Sequence, residues 1–509
     1  SNATFANAIL SEGTDNSKQF VELRAPAGVV LTLSGANQFQ GTTTNFAGSL
    51  DIQSNIGDVI VNGPNAILTG SGTIDGLSAL QGVVAPGNLQ GTGTLTVLQN
   101  ASFGANSILQ IGLKDNNTFG LLKVSDTASL GLLGAPSQGT LKVTVDPSYL
   151  PPDLQTYKIL TANPVINRFA QGTIIISGDY YFRAIYSQDN VVLQKVPAGV
   201  LPGASPLIVS PGAGQSNAVI YNSSNTERAR IQPMGSWTGG MRASVGDVTG
   251  DGWADYIFAA APGGGPRIVV VDGVSLKNVS SFYAYSSTFH GGVYISAGDI
   301  DGNGINEIIT GAGASGGPHV QAFNASGVNT GTSFFAYSST FTGGVTVATG
   351  DLDGDGIDEI ITGAASNGGA HVRSFNASGV LGALNFFAYA ETFQGGVTVA
   401  AGDINGDGLA EVITGPGPSG SPNVKFFDSN GNQLTSFYAY LQDFAGGVSV
   451  GVIDPTNSGT FSVVTGPGNP SAYYPGPRVN LYTWNPPTAE FLTNFLAYPN
   501  GYEGGIWVA

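Results

Sequence analysis

Cysteine is absent from these 509 residues, methionine occurs twice and histidine three times, and only 10% of the side chains are charged. Without cysteine the chain has no disulfide framework, no thiolate zinc site and no thiol nucleophile. No apolar run is long enough to cross a bilayer as a helix, and none keeps an apolar period of 3.6 residues, so neither helices nor membrane insertion are expected. Basic residues are half as numerous as acidic ones, 17 against 34, and the net charge of −17 argues against a nucleic-acid partner, which needs clustered Lys and Arg. Glycine is abundant, at 76 residues, and points to many short strands joined by tight turns. The expected class is all-β, and the length calls for two or more domains.

Residues 1–3, Ser-Asn-Ala, read as the remnant of tag cleavage, so any export signal is expected to have been removed. From about Phe20, runs of four to six β-type residues alternate with Gly, Asn and Ser turns. Such runs are too short to bury a face alone and must stack on their neighbours, which predicts a parallel β-helix over 4–196. The segments LTLSGANQFQGTTTNFAGSLDI (31–52), GSGTI (70–74) and VVAPGNLQGTGTLTV (83–97) carry a resemblance to the passenger repeats of bacterial autotransporters. The resemblance runs over roughly 29–170 and implies a surface location and no catalytic residues. The aspartates from Asp51 to Asp153 are scattered and no histidine precedes residue 200. Lyase chemistry needs a base beside an Arg or metal cluster, so an enzyme is the weaker expectation here. The segment PAGVLPGASP (197–206) reads as a semi-rigid linker.

The second half is a repeat. GDVTGDGWADYIFA from Gly246, GDIDGNGINEIITG from Gly298, GDLDGDGIDEIITG from Gly350 and GDINGDGLAEVITG from Gly402 recur every 52 residues. Around the third copy lie four β-type runs, 343–351, 358–365, 370–376 and 384–389. Four antiparallel strands per period of about 50 residues make a propeller blade. Six Gly-Gly pairs open first strands, and the last, Gly504 and Gly505, is followed by one strand only. Conversely, 206–212, 217–222 and 227–233 match the second, third and fourth strands of a unit with no first strand. Joining the two predicts a six-bladed propeller over 207–509, closed by pairing of its N- and C-terminal strands, which removes two open sheet edges.

Within each loop, oxygen-bearing side chains stand at positions 1, 3, 5 and 9 and glycine at 4 and 6, while position 7 offers its carbonyl. The candidate ligands are Asp247, Thr249, Asp251, Trp253 and Asp255; Asp299, Asp301, Asn303, Ile305 and Glu307; Asp351, Asp353, Asp355, Ile357 and Glu359; and Asp403, Asn405, Asp407, Leu409 and Glu411. Alternation turns every second residue toward one centre, and hard oxygen ligands in a flexible cage select Ca²⁺, in about four sites. Four such ions would bring the net charge from −17 to about −9. The third loop, with four carboxylates, should bind tightest, and the first, with Thr249, among the weakest. A fifth copy has Asp454, Thr456, Ser458 and Ser462 at the side-chain positions and is predicted to be metal-free. The motif D-x-[DNT]-G-[DN]-G-x-x-[DE] makes the chain from about residue 207 resemble the FG-GAP repeat propeller of integrin α subunits and many bacterial surface proteins. The FG-GAP tetrapeptide itself is replaced by forms such as TGAG and TGPG. The resemblance implies that Ca²⁺ braces the loops without doing chemistry, and that partners meet the opposite face.

On that face the start of strand three repeats as Asn217, Arg267, His319, His371, Asn423 and Arg478, counted past an insertion at 469–476. These are expected as a ring near one mouth of the central channel, able to take an anion or a glycan. Tyr285, Tyr337, Tyr389, Tyr440 and Tyr498, with Phe289, Phe341, Phe393 and Phe444, are expected to pack between blades. No nucleophile with a base, phosphate loop or redox site is present in the sequence. The expectation is a non-catalytic secreted or cell-surface bacterial protein, its propeller presented on a β-helix for adhesion to an extracellular protein or glycan. A Ca²⁺-dependent lectin, a polysaccharide-active enzyme and a passive spacer are the alternatives.

Overall fold

Parallel strand pairing builds the first part of the chain and antiparallel pairing the second. The structure, a computed structural model, describes residues 3–5, 20–26, 28–34, 41–131, 138–468, 477–485, 487–499 and 501–509. It divides into two units, 1–198 and 199–509, and contains no helix among the described residues. Residues 1–2 of the predicted tag remnant and the insertion 469–476 lie outside the described residues.

In the first unit the strands Val30–Leu33, Thr42–Ile52, Val59–Gly70, Leu77–Pro86 and Ala101–Leu113 pair in parallel and in chain order. The register places Leu50, Leu68, Val84, Leu109 and Leu141 in one column, all buried. A second sheet aligns Ile56, Ile74, Val97 and Val124 in the same way. Because side chains alternate between faces, a slip of one residue would turn such a column out to water, so burial fixes the register. The run from Ile174 to Lys195 leaves the parallel pattern. Thr156–Thr161, Asn190–Lys195, Tyr180–Tyr186 and Ile174–Ser177 pair antiparallel, one after another, at the end of the second sheet.

The second unit is a six-bladed β-propeller of four-stranded antiparallel sheets. Its third full blade runs Val345–Gly350, Glu359–Ala364, His371–Phe375 and Leu381–Phe387. The fourth strand thus begins three residues earlier than the predicted run 384–389 and ends two earlier. A register shift between Arg373 and Phe375 brings Leu381 opposite Phe375, which extends the pairing at that end. At the other end the Ala388 N–H donates to the Ala370 carbonyl at 2.9 Å, and the chain departs from the blade. In the sheet lacking a consecutive first strand, Ile506–Val508 pairs with Ile208–Pro211, setting Val508 opposite Val209. Of the predicted linker, 197–206, residues 199–206 belong to this unit, where Gly203 N–H donates to the Gly252 carbonyl at 3.1 Å and Ser205 N–H to the Asp454 carbonyl at 2.9 Å.

Blade contacts follow the tyrosine repeat. The hydroxyls of Tyr285, Tyr337, Tyr389, Tyr440 and Tyr498 donate to the carbonyls of His319, His371, Asn423, Arg478 and Asn217, each on the next blade, at 2.7–3.1 Å. Phe289, Phe341, Phe393 and Phe444 stand edge-on to the first four, as aromatic quadrupoles prefer. The repeat therefore works as an interblade tie.

Candidate functional site

Each acidic loop joins the first and second strands of its blade, so all four lie on one face. Their shape comes from the first aspartate. Asp351 accepts Gly354 N–H at 2.7 Å on one oxygen and Gly356 N–H at 2.9 Å on the other. Asp247, Asp299 and Asp403 do the same for the glycines at positions 4 and 6 of their own loops. Those eight glycines all have φ between +70° and +89°, a conformation that L side chains rarely adopt. Position 5 folds back on its own turn: Asp251, Asn303, Asp355 and Asp407 accept the N–H of Trp253, Ile305, Ile357 and Leu409.

Two loops gather three carboxylates that can hold one cation. Ligand oxygens of Asp299, Asp301 and Glu307, and likewise of Asp351, Asp353 and Glu359, lie within 4.8 Å of one another. Position 9 is anchored as well, since Glu307 accepts Ile300 N–H and Glu359 accepts Leu352 N–H. In the fourth loop the Asn405 amide donates to both Asp407 and Glu411, at 3.0 and 2.6 Å. In the first, Asp255 is 1% exposed, and while one of its oxygens accepts Thr249 N–H at 3.0 Å the other is buried with no partner. An orphaned carboxylate oxygen inside an oxygen-rich loop fits a hard cation, because a buried anion without a partner is otherwise costly. Burial, reinforced by neighbouring carboxylates, pushes Asp255, Glu307 and Glu411 up to about 7, with hydrogen bonds from Thr249 and from the Ile300 and Ile404 N–H groups acting in the opposite sense. Glu359 is raised for the same reasons. The fifth loop keeps the backbone geometry alone: Asp454 accepts Ser458 and Gly459 N–H, while Thr456 and Ser458 supply hydroxyls.

Neighbouring loops are linked. The carbonyls of Asp247, Asp299 and Asp351 accept the N–H of Asn306, Asp358 and Ala410 in the following loop, at 2.7–2.9 Å. Asp358, squeezed by burial and then by the charge of Asp299, is raised to about 6 although its backbone bond to Asp299 opposes the shift.

The strand-three positions lie on the opposite face, but not around the channel. Arg267, His319, His371, Asn423 and Arg478 open the third strands of the five full blades, and Asn217 immediately precedes Ala218–Tyr221. Their side chains reach outward to strand four: Arg267 to Ser281, His319 to Ser333, His371 to Asn385, Asn423 to the Phe437 carbonyl and Arg478 to Asn494. The channel is lined by first-strand residues such as Ala243, Ile295, Val347, Val399, Val450 and Val508. A linear repeat fixes the height of a residue along its blade, and the strand number sets its distance from the axis. Third strands lie outside first ones, so the expected mouth ring is a rim.

Sequence reasoning passed over the other half of that rim. Directly opposite Arg267, His319, His371 and Asn423 in the ladder stand Tyr283, Phe335, Phe387 and Tyr438, all exposed, Tyr283 by 59% and Phe335 by 54%. The two histidine rings stack on their phenylalanines at 4.9 and 4.5 Å. Recurrence of an aromatic at the end of strand four in four consecutive blades was the available signal.

The FG-GAP repeat family matches residues 343–376, the first three strands of the third full blade and its acidic loop. Comparison with curated proteins gives no match. Among solved structures the chain is similar to the Dos1 propeller, at 13% identity and TM-score 0.33, covering 60% of this chain and 72% of that one. It is also similar to the PL11 rhamnogalacturonan lyase of Bacillus licheniformis, at 14% identity and TM-score 0.32, covering 66% and 72%. A third likeness is to the biofilm matrix protein Bap1 of V. cholerae, at 17% identity and TM-score 0.28, covering 60% and 41%. These likenesses are distant and carry no statement about function.

Proposed function

We propose that this chain is a non-catalytic, extracellular binding protein. Its propeller is braced by Ca²⁺ in about four loops, closed by the pairing of Ile506–Val508 with Ile208–Pro211, and presented on a parallel β-helix. One observation carries the reading: the acidic loops occupy one face, while the other repeats an exposed aromatic beside a polar strand-three residue in four consecutive blades. In each loop the side chains at positions 1, 3, 5 and 9 and the carbonyl at 7 would hold the ion. Bound there, Ca²⁺ neutralises clustered carboxylates and fixes the turn. A lectin is the second reading, favoured by the same rim, because an aromatic face beside hydrogen-bonding side chains suits the apolar face and hydroxyls of a sugar ring.

The test combines thermal melts with and without Ca²⁺ and an array of glycans and matrix proteins. Calcium at a hundred times its Kd should add about 2.7 kcal/mol for each site, and EDTA should remove it. Phe335→Ala with Phe387→Ala should abolish capture on the array while leaving the calcium shift intact. No shift with EDTA sinks the metal assignment, and undiminished capture by the double variant sinks the rim.

A further inference from the structure

The axis of the propeller holds a cation that the metal loops and the rim leave unexplained. The second residue of every first strand faces the channel on the side away from the acidic loops: Arg242, Tyr294, Thr346, Thr398, Ser449 and Trp507, around a cavity of about 60 Å³. Four of the six share one structural task. Arg242, Thr346, Thr398 and Ser449 each donate to the carbonyl that opens the next blade's first strand, on Val293, Val397, Val448 and Ile506, at 2.7–3.0 Å. A hydroxyl performs this task at three of the positions, so a guanidinium at the fourth brings donors that the tie does not need.

One of those donors, Nε, is shut away from water, and the guanidinium as a whole is buried. Arg242 is 5% exposed, and its carbon centre lies 3.6 Å from the Tyr294 ring and 4.8 Å from the Trp507 ring. Nη1 bonds Val293, whereas the buried Nε has no partner, and no carboxylate lines the cavity. Aromatic faces offset part of the desolvation of a cation but offer nothing to its in-plane N–H groups. The hydroxyls of Thr346, Thr398 and Ser449 are neutral and cannot serve as counter-charge, and their protons are already given to backbone carbonyls.

We propose that this axial cavity is an anion site for a carboxylate, with Arg242 as its anchor. A planar two-oxygen anion matches the edge of a guanidinium through two parallel N–H···O bonds, which a halide cannot do. The cavity volume is about that of two waters, enough for the carboxylate head of a ligand and too small for a whole sugar ring. A larger acidic ligand would therefore insert only its carboxylate, along the axis. The proposal rests on neither the calcium reading nor the rim.

The test uses the full chain and sodium acetate as probe, with sodium chloride at equal ionic strength as reference. Acetate should raise the melting temperature saturably above chloride and change the Trp507 fluorescence, a change that Trp507→Phe removes. Arg242→Met should lose the saturable part and keep only the weak linear stabilisation that acetate gives any protein by exclusion from its surface. Arg242→Lys, which keeps charge without the planar fork, should show a response weakened at least tenfold. An equal response to chloride, no saturable response in the native chain, or a response surviving in Arg242→Met each overturns the proposal. Should Arg242→Met not fold, the fluorescence titration of the native chain against both salts decides alone.

Discussion

Asp255, Glu307 and Glu411 are acids placed where ionising is difficult, under their own loop and beside other carboxylates. An unfolded carboxyl titrates near 4. A group raised to about 7 in the folded chain contributes stability below its unfolded value, and loses that contribution as pH rises through about 7. His319 and His371 act in the other direction: burial lowers them from 6.5, so their contribution is full above that value and fades as pH falls. The window from about pH 6.5 to 8 therefore isolates the carboxylates. In EDTA the propeller's melting temperature should fall across that window, and with saturating Ca²⁺ it should hold steady, because the ion replaces the proton as partner. Calorimetric melts at three pH values check this; a chelated protein whose melting temperature rises with pH there would contradict the burial of these acids. Such strain was not legible in the sequence, which placed the acids at the right spacing but gave no measure of burial.

As elements, the loops were the most legible part of the chain, because everything that shapes them lies within nine consecutive residues and glycine stands where φ must be positive. Position 5 was read as a ligand from alternation alone, and in all four loops its side-chain oxygen also accepts the N–H two residues on, a turn that alternation did not reveal. The chaining of loops, with Ile305, Ile357 and Leu409 lying over Gly250, Gly302 and Gly354 of the loop before, depends on the stacking of blades and could not be read locally. Comparing the third loop with the fifth separates the two duties of the first aspartate. Asp351 and Asp454 both hold their turn through backbone N–H groups, but only Asp351 belongs to a cluster of carboxylates. Asp454→Ala should cost about 1–3 kcal/mol in EDTA and in Ca²⁺ alike. Asp351→Ala should cost a similar amount in EDTA and, in addition, reduce the calcium increment by one site. Urea unfolding under both conditions measures the two terms; an equal loss of calcium response in both variants would place an ion in the fifth loop.

At the scale of the molecule, strand counting from the ends of a repeat gave six sheets, and the radial order of strands decided where residues fell. The rim and the axial ring were therefore confused, and Arg242 escaped notice because its repeat mates, Tyr294, Thr346, Thr398, Ser449 and Trp507, include no second cation and share no one residue type. The strand that completes the sixth sheet is three residues long, yet it joins several ties. Ile506 and Val508 are 1% and 7% exposed, Ser449 donates to the Ile506 carbonyl, and Trp507 covers Arg242. Tyr498 hydrogen-bonds Val209 and Asn217 across the same junction. If pairing of this strand with Ile208–Pro211 closes the wheel, removing residues 506–509 should lose the burial of two aliphatic side chains, about 3–6 kcal/mol, and leave a sheet edge open. Tyr498→Phe, which removes one hydroxyl and keeps the strand, should cost only about 1–2 kcal/mol. The measurement is differential: the calcium-responsive transition should shift strongly in the truncated chain and slightly in Tyr498→Phe. Any transition of residues 1–198, which carry none of the acidic loops, should stay where it is. A truncated chain whose calcium-responsive transition matches the native one would mean that five blades and a three-stranded sheet suffice, and that the closing strand is dispensable.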